Sequence, residues 1–208
     1  MKKKKPSSRE FGVEAGSADV VRIGALGAPG SFSEEAARAY AERERIAFEV
    51  VNQKDFEQVL VALDEERLEL GVLPVANTVG GLVRASFEAM GRFYFQPVGQ
   101  IGLDIRHSLI VRSPEVTPRA VERVVSHPQA IAQCSNYLSR ELPGREWMEW
   151  SDTASAARDL AEGRLDAGVA VIASQRAAKT YKLHILAKDI QDDPKNETRF
   201  VIVRKLAR

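Results

Sequence analysis

Four short loops rich in small polar residues could bind an anion, and each lies where an apolar, strand-like run gives way to a helix-like one. They are Gly30-Ser31-Phe32-Ser33, Asn77-Thr78-Val79-Gly80-Gly81, Ser126-His127-Pro128-Gln129 and Asp152-Thr153-Ala154-Ser155. Such loops offer hydroxyls, free backbone N–H groups and the positive end of a helix dipole. Several of them at one cleft would bind a small molecule with more than one carboxylate, because ligands of open α/β sheets bind at the carboxyl ends of strands. Each loop taken alone indicates a capped helix as readily as a binding site.

Other kinds of site find little support in the sequence. Glycines 24, 27 and 30 do not have the spacing of a dinucleotide-binding fingerprint, and Pro29 interrupts the turn. There is no phosphate-binding loop of the Walker type and no Gly-x-Ser-x-Gly nucleophile motif. His107, His127 and His184 lack the spacing of metal ligands. We therefore expect a site without a metal or an organic cofactor.

The composition is that of an ordinary globular protein. The 208 residues are 44% hydrophobic and 28% charged, with a formal net charge of +1, which gives no electrostatic case for nucleic acid. Cys134 is the only cysteine and is expected to be a small core residue. No apolar run approaches the roughly 18 residues of a membrane span, and the basic start, Lys2 to Lys5, lacks the apolar segment of a secretory signal. We expect a cytoplasmic protein with a flexible leader over residues 1–20.

Strand and helix patterns alternate along the rest of the chain. The predicted strands are 21–26, 47–51, 70–75, 95–104, 107–112, 121–125, 145–150, 167–172, 184–188 and 199–204. The predicted helices are 33–44, 55–67, 80–90, 128–141, 153–162 and 174–181. This alternation predicts an α/β protein with a largely parallel sheet. We expect two lobes, the first from about 21–97 and 189–208 and the second from about 98–188, with a cleft between them.

Six fragments in order resemble the catalytic domain of prephenate dehydratases, from about Arg22 to Lys205. The fragments are Ile23–Ala37 with its glycine loop, Leu73–Gly81, Ile105–Leu109, Ser126–Gln129 followed by Gln133-Cys134, Asp152–Ala157, and Asn196-Glu197-Thr198-Arg199-Phe200. The resemblance implies a two-lobed fold of the type II periplasmic-binding-protein kind, a homodimer, and prephenate as the small-molecule substrate. It implies conversion of prephenate to phenylpyruvate by loss of the C4 hydroxyl and of carbon dioxide, with no metal or cofactor.

The resemblance also implies roles for individual residues. Thr198 would assist departure of the hydroxyl. The implied catalytic residues are Thr198, Asn77, Ser126 and Gln133. The implied substrate-binding residues are Ser31, Thr78, Thr153, Arg199 and Phe200. Arg199 would equally serve as a salt bridge that fixes the last strand, and Phe200 as a core residue. His127 is expected to be structural.

Two departures from the family pattern leave alternatives open. Ala76 stands where the family usually has Glu before the active-site Asn. The chain ends at Arg208, which leads us to expect neither a regulatory ACT domain nor phenylalanine control through it. The alternatives on the same scaffold are an arogenate dehydratase and a prephenate decarboxylase that does not aromatise the ring. A non-catalytic protein that binds a small anion is a further alternative, since a fold does not settle a function.

Overall fold

The computed structural model describes residues 20–207, so that the predicted leader lies outside the described residues except for Val20. The strands are β1 (Val21–Leu26), β2 (Phe48–Gln53), β3 (Leu70–Asn77), β4 (Gly81–Leu82), β5 (Phe95–Asp104), β6 (Ser108–Val111), β7 (Arg123–Ser126), β8 (Glu146–Glu149), β9 (Val169–Ala173), β10 (His184–Ala187) and β11 (Glu197–Lys205). The helices are α1 (Phe32–Glu44), α2 (Phe56–Asp64), α3 (Arg84–Met90), α4 (Pro128–Gln133), α5 (Ser135–Glu141), α6 (Thr153–Ala161) and α7 (Gln175–Thr180), with a short 3₁₀ turn at Pro118–Ala120.

Two sheets form two lobes, as predicted. The first sheet has the strand order β2-β1-β3-β11-β5 with β4 beside β3, and the second has the order β10-β6-β9-β7-β8. The two sheets share one pattern. In each sheet, three parallel strands lie beside an antiparallel strand, β11 in the first sheet and β6 in the second, and the chain enters that strand from the other lobe. This shared order is the one expected of the type II arrangement.

The prediction of a largely parallel sheet is wrong in detail. β11 runs antiparallel to both β3 and β5, and β6 runs antiparallel to both β9 and β10. Each sheet is therefore mixed, because a strand that enters from the other lobe runs against its neighbours.

The chain passes between the lobes at about residues 105–107 and again at about 188–196. The predicted boundary at 97/98 falls inside β5, which pairs with β11 along its whole length to Asp104. The two crossing segments are bonded to each other, since Ile105 N donates to Asn196 O (2.8 Å) and Ile190 N donates to His107 O (2.9 Å). This pair of segments, the hinge of the molecule, lies directly beside the cleft.

Two predicted helices differ from those observed. The stretch 128–141 is interrupted at Cys134, whose N–H bonds to Ile131 O in a tight turn, so that α4 and α5 are separate. The stretch 80–90 begins as a strand, because Gly81 has a left-handed φ of 74° and β4 pairs with β3 before α3 starts at Arg84. The interruption at Cys134 keeps α4 short and sets Gln133 at its last position.

The apolar residues divide between the lobes and fill the space between each sheet and its helices. Ile23, Val72 and Ile202 are fully buried in the first lobe. Cys134 is fully buried in the second, where burial raises the pKa of its thiol, so it is a core residue as predicted. Among residues 20–207 no helix has the length and apolar character needed to cross a membrane.

Candidate active site

A cavity of about 260 Å³ lies in the cleft between the lobes. Its lining combines loop residues that follow strands of both sheets with residues of β11 and the hinge. The residues that line it are Leu26, Gly27, Ser31, Phe32, Ser33, Pro74, Asn77, Val83, Ile105, His107, His127, Gln129, Ala130, Gln133, Ser151, Asp152, Thr153, Thr198 and Phe200. All four loops singled out from the sequence therefore contribute to one cavity.

Thr198 and Asn77 face each other across neighbouring strands. The register of β11 against β3 places Thr198 opposite Asn77, and Asn77 Nδ2 donates to Thr198 Oγ1 at 2.9 Å. Thr198 is 9% exposed and Asn77 is 8% exposed, so both are largely buried where they line the cavity. The pairing follows from strand register, which brings together two residues far apart in the chain.

The direction of this hydrogen bond is fixed by backbone groups. Asn77 Oδ1 accepts from the backbone N–H groups of Val79 (3.0 Å) and Gly80 (2.6 Å), which can only donate. Asn77 Nδ2 donates to the carbonyl of Glu197 (3.2 Å), which can only accept. The amide of Asn77 is thereby oriented, and Thr198 Oγ1 must be an acceptor towards it. The hydroxyl hydrogen of Thr198 is left free to donate to a bound molecule.

Gln133 continues the same network from the second lobe. Asn196 Oδ1 also lies 2.7 Å from Asn77 Nδ2, so the two hydrogens of this nitrogen serve three acceptors and one of them is shared. Asn196 Nδ2 in turn donates to Gln133 Oε1 (3.0 Å). The amide nitrogen of Gln133 lies 3.5 Å from Asn77 Oδ1. Asn196 is 2% exposed and thus joins residues of both lobes inside the protein. Sequence reasoning gave Asn196 no role, although it lies two positions before Thr198 in a fragment that was recognised.

His107 is a further residue that sequence reasoning missed as part of the site. It lines the cavity, is 2% exposed, and its Nε2 lies 3.0 Å from Gln133 Oε1. Its ring meets the ring of Phe32 edge-on, with the centroids 5.4 Å apart. Burial lowers the pKa of His107 below its ordinary value, and the bond to Gln133 opposes this in part. A neutral imidazole therefore lies against the network.

Two helix starts face the cavity from opposite lobes. Ser31 caps α1 and Asp152 caps α6, each by accepting a backbone N–H through its side chain. The first N–H groups of a helix have no acceptor inside the helix, so these two ends present donors and positive potential to the cavity. Among the described residues that line the cavity, Asp152 is the one with a charged carboxylate, and none is Lys or Arg. Carboxylate binding here would depend on helix N–H groups and hydroxyls.

The predicted carboxylate contacts Ser31 and Thr153 both line the cavity, but their hydroxyls differ. Ser31 Oγ donates to Leu26 O (2.9 Å) and accepts from Glu34 N (3.2 Å), so that its hydrogen is already used. Thr153 is the first residue of α6, and among the described residues its hydroxyl has no hydrogen-bond partner within the protein. Of these two hydroxyls, the one of Thr153 is therefore available to a ligand.

Phe200 and His127 fill the structural roles considered for them. Phe200 is 2% exposed within the core of the first lobe, and it also lines the cavity, where packing beside a substrate ring stays a prediction. His127 caps α4, its Nδ1 accepting from Gln129 N at 3.2 Å.

Three of the predicted site residues lie outside the cavity. Ser126 is fully buried and donates to Ile172 O (2.7 Å), which ties β7 to β9. Thr78 donates to Lys195 O (3.0 Å) and accepts from Glu197 N (2.9 Å), which fastens the end of β3 to the start of β11. Arg199 is exposed and pairs with Glu197 at 2.7 Å. The loops were identified correctly, but the sequence could not tell which of their polar groups the backbone would use.

No metal centre is evident in the part of the chain that the structure describes. Among residues 20–207 there is no group of three or more His, Cys, Asp or Glu side chains placed to hold a metal ion.

Comparisons with known proteins identify the family of this chain. The family described as "Prephenate dehydratase" matches residues 23–208. Arogenate dehydratase/prephenate dehydratase 2 of Arabidopsis thaliana is 36% identical over 200 residues, a match that covers 96% of this chain and 50% of that protein. The chain thus spans about half the length of the curated relatives it matches.

Solved structures show the same fold. A prephenate dehydratase from Arthrobacter aurescens in complex with L-Phe superposes with a TM-score of 0.80 at 26% identity, over 90% of this chain and 61% of that one. A protein described as a novel type of quorum quenching acylase, GqqA, superposes with a TM-score of 0.76 at 26% identity, over 90% of this chain and 65% of that one. With the family match over nearly all of the described residues, the chain belongs to the prephenate dehydratase family.

Proposed function

We propose that this protein converts prephenate to phenylpyruvate by a decarboxylating dehydration that uses no metal or organic cofactor. The bond between C1 of the ring and its carboxylate breaks and releases carbon dioxide. The electron pair of that bond moves into the ring, which becomes aromatic as the C4–O bond breaks. The departing hydroxide takes up one proton and leaves as water, so the protein must supply a proton at that oxygen.

The observation that carries this proposal is the orientation of the Thr198 hydroxyl. Because Asn77 donates to Thr198 Oγ1, the Thr198 hydrogen is available to the cavity. A threonine hydroxyl is far too weak an acid to release a free proton at neutral pH. Within a dry site it can donate a hydrogen bond to the leaving oxygen, pass its proton as charge develops there, and be reprotonated from solvent. The Asn77 N–H bond stabilises Thr198 Oγ1 while it carries that charge.

The other predicted residues fall into two groups, those whose side chains can still contact a substrate and those whose polar groups are used within the protein. Asn77 and Gln133 orient Thr198 and the substrate, and Thr153 with the first N–H groups of α1 and α6 binds the carboxylates. Phe200 packs beside the ring of the substrate. Ser126, Thr78 and Arg199, first expected to act on the substrate, support the strands that carry the site instead.

Arogenate dehydration is the nearest alternative on the same site. Arogenate carries an ammonium group where prephenate has a keto group, and the one charged side chain of the cavity lining, Asp152, could accept an ammonium. Both carboxylate oxygens of Asp152 are, however, already bonded to Ser155 at the start of α6. Each oxygen keeps a lone pair that could still accept from an ammonium, so Asp152 does not decide between the two substrates. The description of the matching family supports prephenate as the first substrate to test.

The decarboxylase alternative depended on Ala76 together with the expected lack of a regulatory domain. Side chains alternate between the two faces of a strand, so that Ala76 faces away from Asn77, and its partner across the sheet is Arg199. A carboxylate at this position would lie beside Arg199 rather than in the cavity. Ala76 therefore gives no reason to expect altered chemistry, and retention of Thr198 favours dehydration.

The experiment is to incubate the purified protein with prephenate and separately with arogenate at neutral pH, in the presence of a chelator, beside blanks without protein. Phenylpyruvate formed from prephenate well above its blank supports the proposal. Phenylalanine from arogenate, with no gain over the blank from prephenate, would replace it with arogenate dehydration. Loss of prephenate without phenylpyruvate would indicate the decarboxylase, and binding of prephenate without turnover would indicate the binding protein.

Two further properties of the protein are proposed, its location in the cell and its oligomeric state. We propose a cytoplasmic location, on the basis of the sequence features given above, although the name of the Arabidopsis relative describes that protein as chloroplastic. We propose a homodimer, on the basis of the family resemblance. Cell fractionation and analytical ultracentrifugation test these two proposals, and a purely monomeric species at micromolar concentration would contradict the second.

A further inference from the structure

We propose that His107 is a positioning residue: by donating its Nε2 proton to Gln133 Oε1, it holds the Gln133 amide with its NH₂ group towards Asn77 and the substrate. This inference rests on the proposed function, in which Gln133 contacts the substrate. His107 itself has no role in the reaction as derived above. The inference concerns how a side chain at the hinge fixes the direction of a hydrogen-bond network in the cleft.

The donor and acceptor of each hydrogen bond in the network can be assigned by starting from the backbone N–H groups that contact Asn77. Backbone N–H groups fix Oδ1 of Asn77, so its nitrogen must donate to Asn196 Oδ1. The other amide atom of Asn196 is then its nitrogen, and the atom of Gln133 that it meets, 3.0 Å away, must be Oε1. His107 Nε2 lies 3.0 Å from that same oxygen. An oxygen offers only lone pairs to a neighbour, so His107 must carry its proton on Nε2.

The other ring nitrogen of His107 agrees with this assignment. Nδ1 is buried and has no hydrogen-bond partner among the described residues. A protonated Nδ1 in this position would be a buried donor without an acceptor, which costs free energy, whereas a bare lone pair costs less. The neutral ring with hydrogen on Nε2 is thus the form that the surroundings favour.

Two donors on Gln133 Oε1 hold the amide in one of its two orientations. If the Gln133 amide were reversed, its NH₂ group would face the donors of His107 and Asn196, and its oxygen would face Asn77 Oδ1. In the reversed orientation, the NH₂ group would meet two donors and the oxygen would meet another oxygen, so that neither would form a hydrogen bond. His107 and Asn196 lie on the two hinge segments, which are bonded to each other through Ile105 N and Asn196 O. The hinge therefore presents both donors together, from one side, to a residue of the second lobe.

The kinetic test compares His107→Gln with His107→Leu. A glutamine keeps an N–H donor near the position of Nε2, whereas leucine keeps bulk and removes the donor. We expect His107→Leu to lower kcat by about 10- to 100-fold with little change in KM, because a misoriented amide costs alignment rather than binding. His107→Gln should recover most of that loss. His184→Gln, at an exposed position on β10, is the matched control and should behave as the wild type.

A spectroscopic test does not depend on activity. With histidine labelled with ¹⁵N, long-range ¹H–¹⁵N spectra distinguish the two neutral tautomers and the imidazolium, and the signal lost in His107→Gln identifies His107. We expect neutral His107 with hydrogen on Nε2 near neutral pH, and a shift of that population in Gln133→Leu, which lacks the acceptor.

The outcomes separate this inference from the proposed function. Hydrogen on Nδ1, or an imidazolium, would overturn the inference even if the enzyme is active. Equal losses in His107→Gln and His107→Leu, or none in His107→Leu, would also overturn it, because the ring would then serve only as volume. A wild type without phenylpyruvate formation would refute the proposed function, while the tautomer of His107 would still report on the network.

Discussion

The lobes of this protein meet in two regions that differ in chemistry. Beside the cavity, the contact is a network of neutral amides and hydroxyls. It joins Asn77 and Thr198 of the first lobe, through Asn196 of a crossing segment, to Gln133 of the second lobe. Where the first turns of α1 and α7 meet, the contact is ionic and joins Glu34 of the first lobe to Arg176 of the second.

The ionic contact is close and partly buried. Glu34 accepts from Gly30 N (2.6 Å) and Arg38 Nε (2.7 Å) and lies 3.4 Å from Arg176. Ser174 Oγ donates to Gly30 O across the lobes, and a side chain at Gly30, whose φ is 87°, would collide with the backbone of Ala177. This contact holds α1 against α7 at close range.

The difference shows that holding the lobes together and directing a hydrogen towards the substrate are carried out by different kinds of contact. Charges attract over a distance but constrain direction weakly, so they suit a contact whose task is to hold two lobes together. Amides and hydroxyls have fixed donor and acceptor sides, so they suit a contact that must aim one hydrogen at a substrate. A charged group in the network would also shift the proton affinity of Thr198, which the neutral network avoids.

The largest expected effect comes from removing the hydroxyl at the end of the neutral network. Thr198→Val keeps the shape of the side chain and removes its proton, so kcat should fall by about 10²- to 10⁴-fold with a small change in KM. Thr198→Ser keeps the hydroxyl and should stay within about 10-fold of the wild type. Steady-state kinetics with prephenate measures both. Similar kcat values for the Ser and Val variants would contradict the role of the hydroxyl.

An intermediate effect is expected at the ionic contact, on stability rather than rate. Burial raises the pKa of Glu35, although the charge of Arg176 opposes this, whereas the Gly30 N–H and Arg38 together lower the pKa of Glu34 against the effect of its burial. A raised carboxyl pKa favours the folded state below the unfolded pKa, and that stability is lost as the pH rises through the folded value. A lowered pKa gives stability above the unfolded value, which is lost as the pH falls through the folded one.

The two neighbouring glutamates should therefore respond to amide substitution with opposite signs. At neutral pH, Glu35→Gln should raise the free energy of unfolding and Glu34→Gln should lower it. Both differences from the wild type should shrink as the pH falls below about 4.5, where both carboxyls become protonated in the unfolded chain. Urea unfolding at several pH values measures this, and the same sign for both variants would show that the two carboxylates share one environment.

The smallest effect is expected where a charge is placed close to the network but on the other face of the sheet. Ala76→Glu restores the usual family residue opposite Arg199. We expect a cross-strand pair worth about 0.2–1 kcal/mol in stability and no change in kcat. Thermal unfolding and kinetics on the same preparation measure both. A clear change in kcat would show that this position communicates with the cavity.

The sequence predicted the lobes and the loops well, for a physical reason. Helix and strand periodicity depends on neighbouring residues in the sequence, and so does helix capping. Asp152, for example, can be recognised from the sequence as the cap of the helix that follows it. The family fragments then placed Thr198 and Asn77 in one site, where the register of β11 on β3 unites them.

The sequence could not predict which polar groups remain free. Ser31 and Thr153 both lie at the start of a helix and look equivalent in the sequence. In the structure, the Ser31 hydroxyl donates to Leu26 O and is therefore not free to donate to a ligand. Ser126 precedes the recognised His-Pro-Gln segment but points into the sheet towards Ile172. His107 and Asn196 both reach Gln133 Oε1 only because two distant chain crossings are bonded side by side, through Ile105 N and Asn196 O, which no local pattern reveals. The boundary at 97/98 was wrong because the strand β5 continues as one element to Asp104.

The most direct test of the account is the position of the hydrogen on Thr198. A neutron crystal structure of the deuterium-exchanged protein would show it, together with the amide deuterons of Asn77. The account predicts deuterium on Thr198 Oγ1 directed into the cavity, with an Asn77 Nδ2 deuteron directed at that same oxygen. A Thr198 deuteron directed at Asn77, with the amide reversed, would contradict the account, because no proton would then face the leaving hydroxyl.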